Sequence, residues 1–145
     1  MAVKPMAFWD SSALIPLCVR QEETPAVVRY ARQFERKVVW WASLVESHSG
    51  LARLEREGQL SPKGRIAALG RLNALKSSWY EILPGEGMRE TAANLLWRYP
   101  LVAADALQLA ASLTWCKHNP RGCHFVCFDE RLCDAAAKLG FWVLS

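Results

Sequence analysis

The chain has 145 residues, 52% of them apolar and 22% charged, with a formal net charge of +4 and a pI near 8.9. This length suits a single domain, 1–145, with a sizeable buried core. The balance excludes a disordered or collagen-like chain, and no apolar run approaches the length of a membrane span. The opening residues Met1 to Pro5 carry no hydrophobic stretch of signal-peptide length, and the five cysteines then read as reduced thiols of a cytoplasmic protein.

Ala7-Phe8-Trp9 reads as a short buried strand closed by Asp10-Ser11-Ser12, where a helix should begin. Thr24-Pro25 is an N-cap followed by proline in the first turn, which starts a helix running to about Arg36 with Val27, Val28, Ala31 and Phe34 inward. Val38-Val39-Trp40-Trp41 is the second strand, β-branched and aromatic. Ser43 opens a helix that ends near Gly58, with Leu44, Val45, Leu51 and Leu54 as its apolar stripe, and Ser61-Pro62 starts another carrying Ile66, Leu69, Leu72 and Leu75.

Trp79 to Leu83 is the third strand, stopped by Pro84-Gly85. Helices follow over about Gly87–Tyr99 and Ala103–Lys117, with Asn119 to Gly122 as a loop. Phe125–Phe128, Glu130–Leu139 and Phe141–Leu144 complete the chain as strand, helix and strand. Short apolar runs alternating with amphipathic helices predict an α/β fold with a parallel sheet covered by helices. In such sheets ligands lie beyond the carboxyl ends of the strands.

Three of the four aspartates, Asp10, Asp105 and Asp129, follow apolar runs at points where helices begin. Taken singly, Asp10 and Asp129 are possible helix N-caps, Asp105 favours the positive end of its helix, and Glu46 completes a capping box with Ser43. Taken together, a sheet that gathers their elements at one edge brings like charges into one place, and that demands a cation. Oxygen ligands favour Mg²⁺ or Mn²⁺, which activates water and shields phosphate charge. Arg53, Arg56, Lys63, Arg65, Arg71 and Lys76 against only Glu55 and Glu57 make the region from Leu51 to Tyr80 either a solvated face or a phosphate-facing one.

Competing chemistries have weaker signatures. Cys116, His118, Cys123 and Cys127 lack paired zinc-ligand spacing. His48, His118 and His124 have no third group to complete an acid–base site. There is no nucleophile elbow and no glycine-rich phosphate loop. A phosphotransfer domain would need a reactive lysine at a strand end, and Lys117 and Lys138 fall on predicted helices. The tryptophans Trp40, Trp41, Trp79, Trp97 and Trp115 fit core or interface better than base stacking.

Four segments in order resemble a PIN domain of the VapC toxin group: Phe8-Trp9-Asp10-Ser11-Ser12-Ala13-Leu14, Ser43-Leu44-Val45-Glu46 with Leu51-Ala52-Arg53-Leu54, Leu101 to Ala110 around Asp105, and Phe125 to Leu132 around Asp129. The resemblance runs from about Met6 to the C-terminus. It implies a three-layer α/β/α arrangement with about five parallel strands. It also implies a Mg²⁺- or Mn²⁺-dependent endoribonuclease with one or two ions, a homodimer, and an antitoxin that blocks the cleft. By this likeness Asp10, Glu46, Asp105 and Asp129 form the acidic site, with Asp10 and Asp105 foremost in holding metal, and Ser11, Arg53 and Arg56 are candidate substrate contacts. Val102 stands where many relatives have arginine, and Cys127 where threonine or serine is usual. These departures leave open a non-cleaving, partner- or RNA-binding module on the same fold.

Overall fold

The computed structural model describes residues 5–145, so most of the stretch read for a leader, Met1 to Lys4, lies outside the described residues. Five strands, β1 (Met6–Trp9), β2 (Arg36–Trp40), β3 (Tyr80–Ile82), β4 (His124–Val126) and β5 (Trp142–Leu144), form one parallel sheet in the order β3-β2-β1-β4-β5. Seven helices cover it: α1 (Ser11–Cys18), α2 (Thr24–Gln33), α3 (Ser43–Arg56), α4 (Pro62–Lys76), α5 (Glu86–Arg98), α6 (Ala103–Trp115) and α7 (Glu130–Leu139). The expected three-layer α/β/α arrangement is what the chain adopts.

Strand alternation explains the layers. Phe8, Val38, Trp40 and Phe125 face one side and pack against Met88, Ala92 and Leu95 of α5, Leu109 of α6, and Leu132 and Ala136 of α7. Ala7, Trp9, Val39 and Val126 face the other, against Leu14 of α1, Val27 of α2, Leu51 and Leu54 of α3, and Leu72 of α4. Phe8 pairs with Val38 on one flank and Phe125 on the other, and those two phenylalanine rings stack at 5.3 Å. The chain builds outward from β1 to β2 and β3, then returns to lay β4 on the other side of β1. The carboxyl ends of β1 and β4 therefore border the crevice where the winding reverses, the usual ligand position in such sheets.

Several boundaries differ from the sequence reading, each for a local reason. α2 stops at Gln33, three residues short, because Phe34 turns inward and Arg36 already pairs in β2. Thr24 is the first helical residue rather than the cap; its hydroxyl donates to the Pro16 carbonyl at 2.8 Å and ties α2 to α1. β4 ends at Val126, so Cys127 and Phe128 belong to the turn that leads into α7. α6 ends at Trp115, and Lys117 and His118 follow with φ of 54° and 59°. Ile66 and Val45, read as inward, are exposed.

Candidate acidic cleft

Asp10 follows β1 and caps α1, accepting from the Ser12 backbone N–H at 3.1 Å and the Ser12 hydroxyl at 2.5 Å. It is only 3% exposed. Burial pushes its carboxyl above the usual range, opposed by the Ser12 bonds. The Ser12 hydroxyl also accepts from the Phe128 N–H at 3.0 Å, joining the end of β1 to the turn after β4. Asp129 caps α7, its Oδ1 accepting from Leu132 N–H at 2.9 Å. Both aspartates are thus caps and cleft residues together, so the two readings of them were never exclusive.

Glu46 does not form the expected capping box. The α3 cap is Ala42, and Ser43 is already inside the helix and fully buried. The Glu46 carboxylate instead reaches across the cleft mouth, where Oε2 accepts from the Ser11 hydroxyl at 3.2 Å and from Gln108 Nε2 of α6 at 2.6 Å. Burial raises its pKa first, and the charges of Asp10 and Asp105 raise it further, against the Gln108 and Ser11 bonds. Asp105 sits in the first turn of α6. It is pushed up to about 6 by burial, then by the charges of Asp129 and Asp10.

Asp10, Ser11, Glu46, Arg53, Asp105 and Asp129 line one cleft of about 270 Å³. Among the described residues none of the four acids is in an ion pair. No three His, Cys, Asp or Glu side chains among those residues come together closely enough to cage an ion as they stand. The cleft is lined by carboxylates that have no cationic partner among the described residues. Its donor set is all hard oxygen, which suits a divalent ion of the Mg²⁺ or Mn²⁺ type.

Arg53 reaches this cleft, whereas Arg56 lines a separate groove with His48, Glu55 and Arg65. Arg65 pairs with Glu55 at 3.1 Å, and Arg71 donates to the Cys18 carbonyl at 2.9 Å, so part of the basic stretch is spent on holding α4 to its neighbours. Lys138 pairs with Asp134 at 2.8 Å on α7, and neither it nor Lys117 lines the acidic cleft. Cys127 is fully buried against the site: its thiol lies 3.6 Å from Asp10 Oδ2 and accepts from Asp129 N–H at 3.3 Å. Contact with the Cys133 thiol, then burial, holds Cys127 protonated. Val102, the N-cap residue of α6, is exposed.

Two polar residues of the site carried no role in the sequence reading. Ser12 entered as the last residue of Asp10-Ser11-Ser12, the segment that closes the first strand. Gln108 is the single long polar side chain in the apolar run Ala106 to Ala111, and that interruption was its signal.

Over 138 residues the chain is 30% identical to Ribonuclease VapC46 of Mycobacterium tuberculosis, covering 95% of each. Several solved structures share the fold, and two serve as examples. One is a toxin-antitoxin complex from Klebsiella pneumoniae, with a TM-score of 0.57 at 16% identity over 85% of this chain and 86% of that one. The other is FitAcB from Neisseria gonorrhoeae, with a TM-score of 0.65 at 16% identity over 97% of both. No family model matches the chain.

Proposed function

This chain belongs to the VapC family of PIN-domain proteins, and from that we propose that it is a divalent-metal-dependent endoribonuclease, the toxin of a toxin–antitoxin pair. The observation that carries the reading is the cleft itself: four carboxylates from four elements, without a cationic partner among the described residues, facing one space beside an arginine. Asp10, Glu46, Asp105 and Asp129 are the side chains that would hold one or two Mg²⁺ or Mn²⁺ ions, Asp10 and Asp105 foremost. Such an ion, when bound, activates water and offsets the charge of a phosphodiester.

The protein's own groups prepare that chemistry. Ser12 fixes Asp10, so a buried carboxylate keeps one orientation without substrate. Asp105, raised to about 6, is ionised at neutral pH and available as a ligand. Ser11 lies at the rim, bonded to Glu46, and exposed Arg53 supplies a guanidinium for an RNA phosphate. Arg56 is left out of this role because it lies in the neighbouring groove.

The reading extends to partners. The Klebsiella pneumoniae neighbour is a toxin-antitoxin complex, and we assign this chain an antitoxin that covers the cleft, together with a homodimer. No described helix is long and apolar enough to cross a membrane, in keeping with a protein that meets RNA in the cytoplasm. Residues 1–145 act as one PIN unit in this account.

The test is cleavage of a single-stranded RNA with Mg²⁺ or Mn²⁺, with chelator, and by Asp10→Asn. The expected outcome is cleavage that needs the metal and falls to background in the variant. Activity that survives chelator, or persists in Asp10→Asn, overturns the mechanism. A second reading rests on the Cys127 thiol, a weaker hydrogen-bonding group than a hydroxyl, lying against Asp10. RNA bound but left intact with either metal selects that non-cleaving module.

A further inference from the structure

The amide of Gln108 is a costly group to place where it is. It is fully buried in α6, and the other large side chains buried to the same degree are aliphatic or aromatic. Burying a carboxamide is unfavourable unless its hydrogen bonds are restored inside. Here only one end is satisfied. Nε2 donates to Ser43 Oγ at 3.0 Å and to Glu46 Oε2 at 2.6 Å, while Oε1 has no partner among the described residues. A side chain kept for packing alone would be apolar. One kept for α3–α6 cohesion would use both ends. The amide nitrogen faces Glu46, the end that suits a carboxylate oxygen acting as acceptor.

Asp105 and Gln108 are three residues apart on one helix and share a face. α6 therefore carries a site acid and the donor that holds another site acid, set at a fixed spacing by one rigid element. With Ser11 and Gln108 both on Oε2, Oε1 is the Glu46 oxygen left for a ligand.

We propose that Gln108, anchored by Ser43, is a positioning residue that aims the Glu46 carboxylate into the acidic cleft. The proposal rests on the metal-site reading above. Outer partners of metal-holding carboxylates are worth about 10- to 100-fold in metal affinity or activity.

The variant is Gln108→Met, which keeps the length and removes the donor. Mn²⁺ affinity by calorimetry is expected to weaken about 10- to 100-fold. kcat on a single-stranded RNA falls by a similar factor with KM unchanged. In a Glu46→Gln background the same change adds no further loss of Mn²⁺ affinity, since the group it aims is gone. Ser43→Ala, which frees one anchor of the amide, gives a smaller loss in the same direction and carries the test if Gln108→Met does not fold. A Gln108→Met chain that melts earlier yet binds Mn²⁺ like wild type has lost only packing, and that result overturns the proposal alone. So does an equal loss in the Glu46→Gln background. A wild-type chain that binds no Mn²⁺ overturns the metal-site reading and this inference with it.

Discussion

Asp105 carries a charge at neutral pH that the folded chain resists. Its carboxyl moves from 3.8 to about 6 through burial and the neighbouring Asp129 and Asp10 charges. The folded state holds this proton more tightly than the unfolded one, so between those values stability falls as pH rises and stays lower above about 6. Asp105 is partly exposed, and solvent screening reduces the penalty to on the order of 1 kcal/mol. Without metal, Asp105→Asn is expected to raise Tm by about 2–4 °C at pH 7.5, an advantage that shrinks towards pH 4. Differential scanning calorimetry across that range checks it; a lower Tm in the variant, or an advantage independent of pH, contradicts it. The four acids that line the cleft were singled out from the sequence, and their hydrogen-bond partners were not. Ser43 and Glu46 have capping-box spacing, yet both turn to Gln108 across the chain, a bond spanning more than sixty residues that no local pattern encodes. Arg53 and Arg56 look equivalent as sequence, but three residues along a helix surface were enough to put them in different grooves.

The starts of α4 and α7 were legible to the residue, whereas the similar signals at Thr24 and Ser43 each placed the cap one residue late. Ser61-Pro62 opens α4 with its hydroxyl accepting from Gly64 N–H at 2.9 Å, and Asp129 opens α7, which closes on Gly140 at φ 112°. α1 had a beginning and no visible end because Pro16 lies within it. The inward faces failed where an element lies at the border of the fold, as with Val45 and Ile66. Val45 is one of three large apolar side chains exposed near the starts of α3 and α5. Trp41 N–H donates to the Ile82 carbonyl at 3.0 Å, which sets Trp41 beside Leu83 at the end of the β2–β3 edge, and both are exposed with Val45 in the first turn of α3. A groove of about 380 Å³ follows Leu83 in the chain, lined by Trp40, Pro84, Met88 and Leu107 together with the paired Glu86 and Arg89. Exposed apolar side chains clustered in this way suit an interface, and they are the surface we propose for the homodimer. Light scattering of the pure chain is expected to give twice the chain mass, and Val45→Asp with Leu83→Asp to halve it. A monomeric wild type, or a double variant that stays dimeric, contradicts the assignment.

For the molecule as a whole, the alternation of strands and helices foretold the layers, but strand order did not follow from the sequence. It is the return of the chain from β3 to β4 on the far side of β1 that sets Asp10 and Asp129 just beyond the ends of neighbouring strands. β2 on the other flank of β1 leads into α3 and so delivers Glu46, while α6 brings Asp105. The central claim is that this winding gathers the acids in order to hold a divalent ion. A crystal soaked in Mn²⁺ and measured at the manganese absorption edge tests it directly. An anomalous peak is expected in the cleft, with carboxylate oxygens of Asp10 and Asp105 at coordination distance. A fully soaked crystal with no peak there, or with manganese bound only elsewhere, contradicts it.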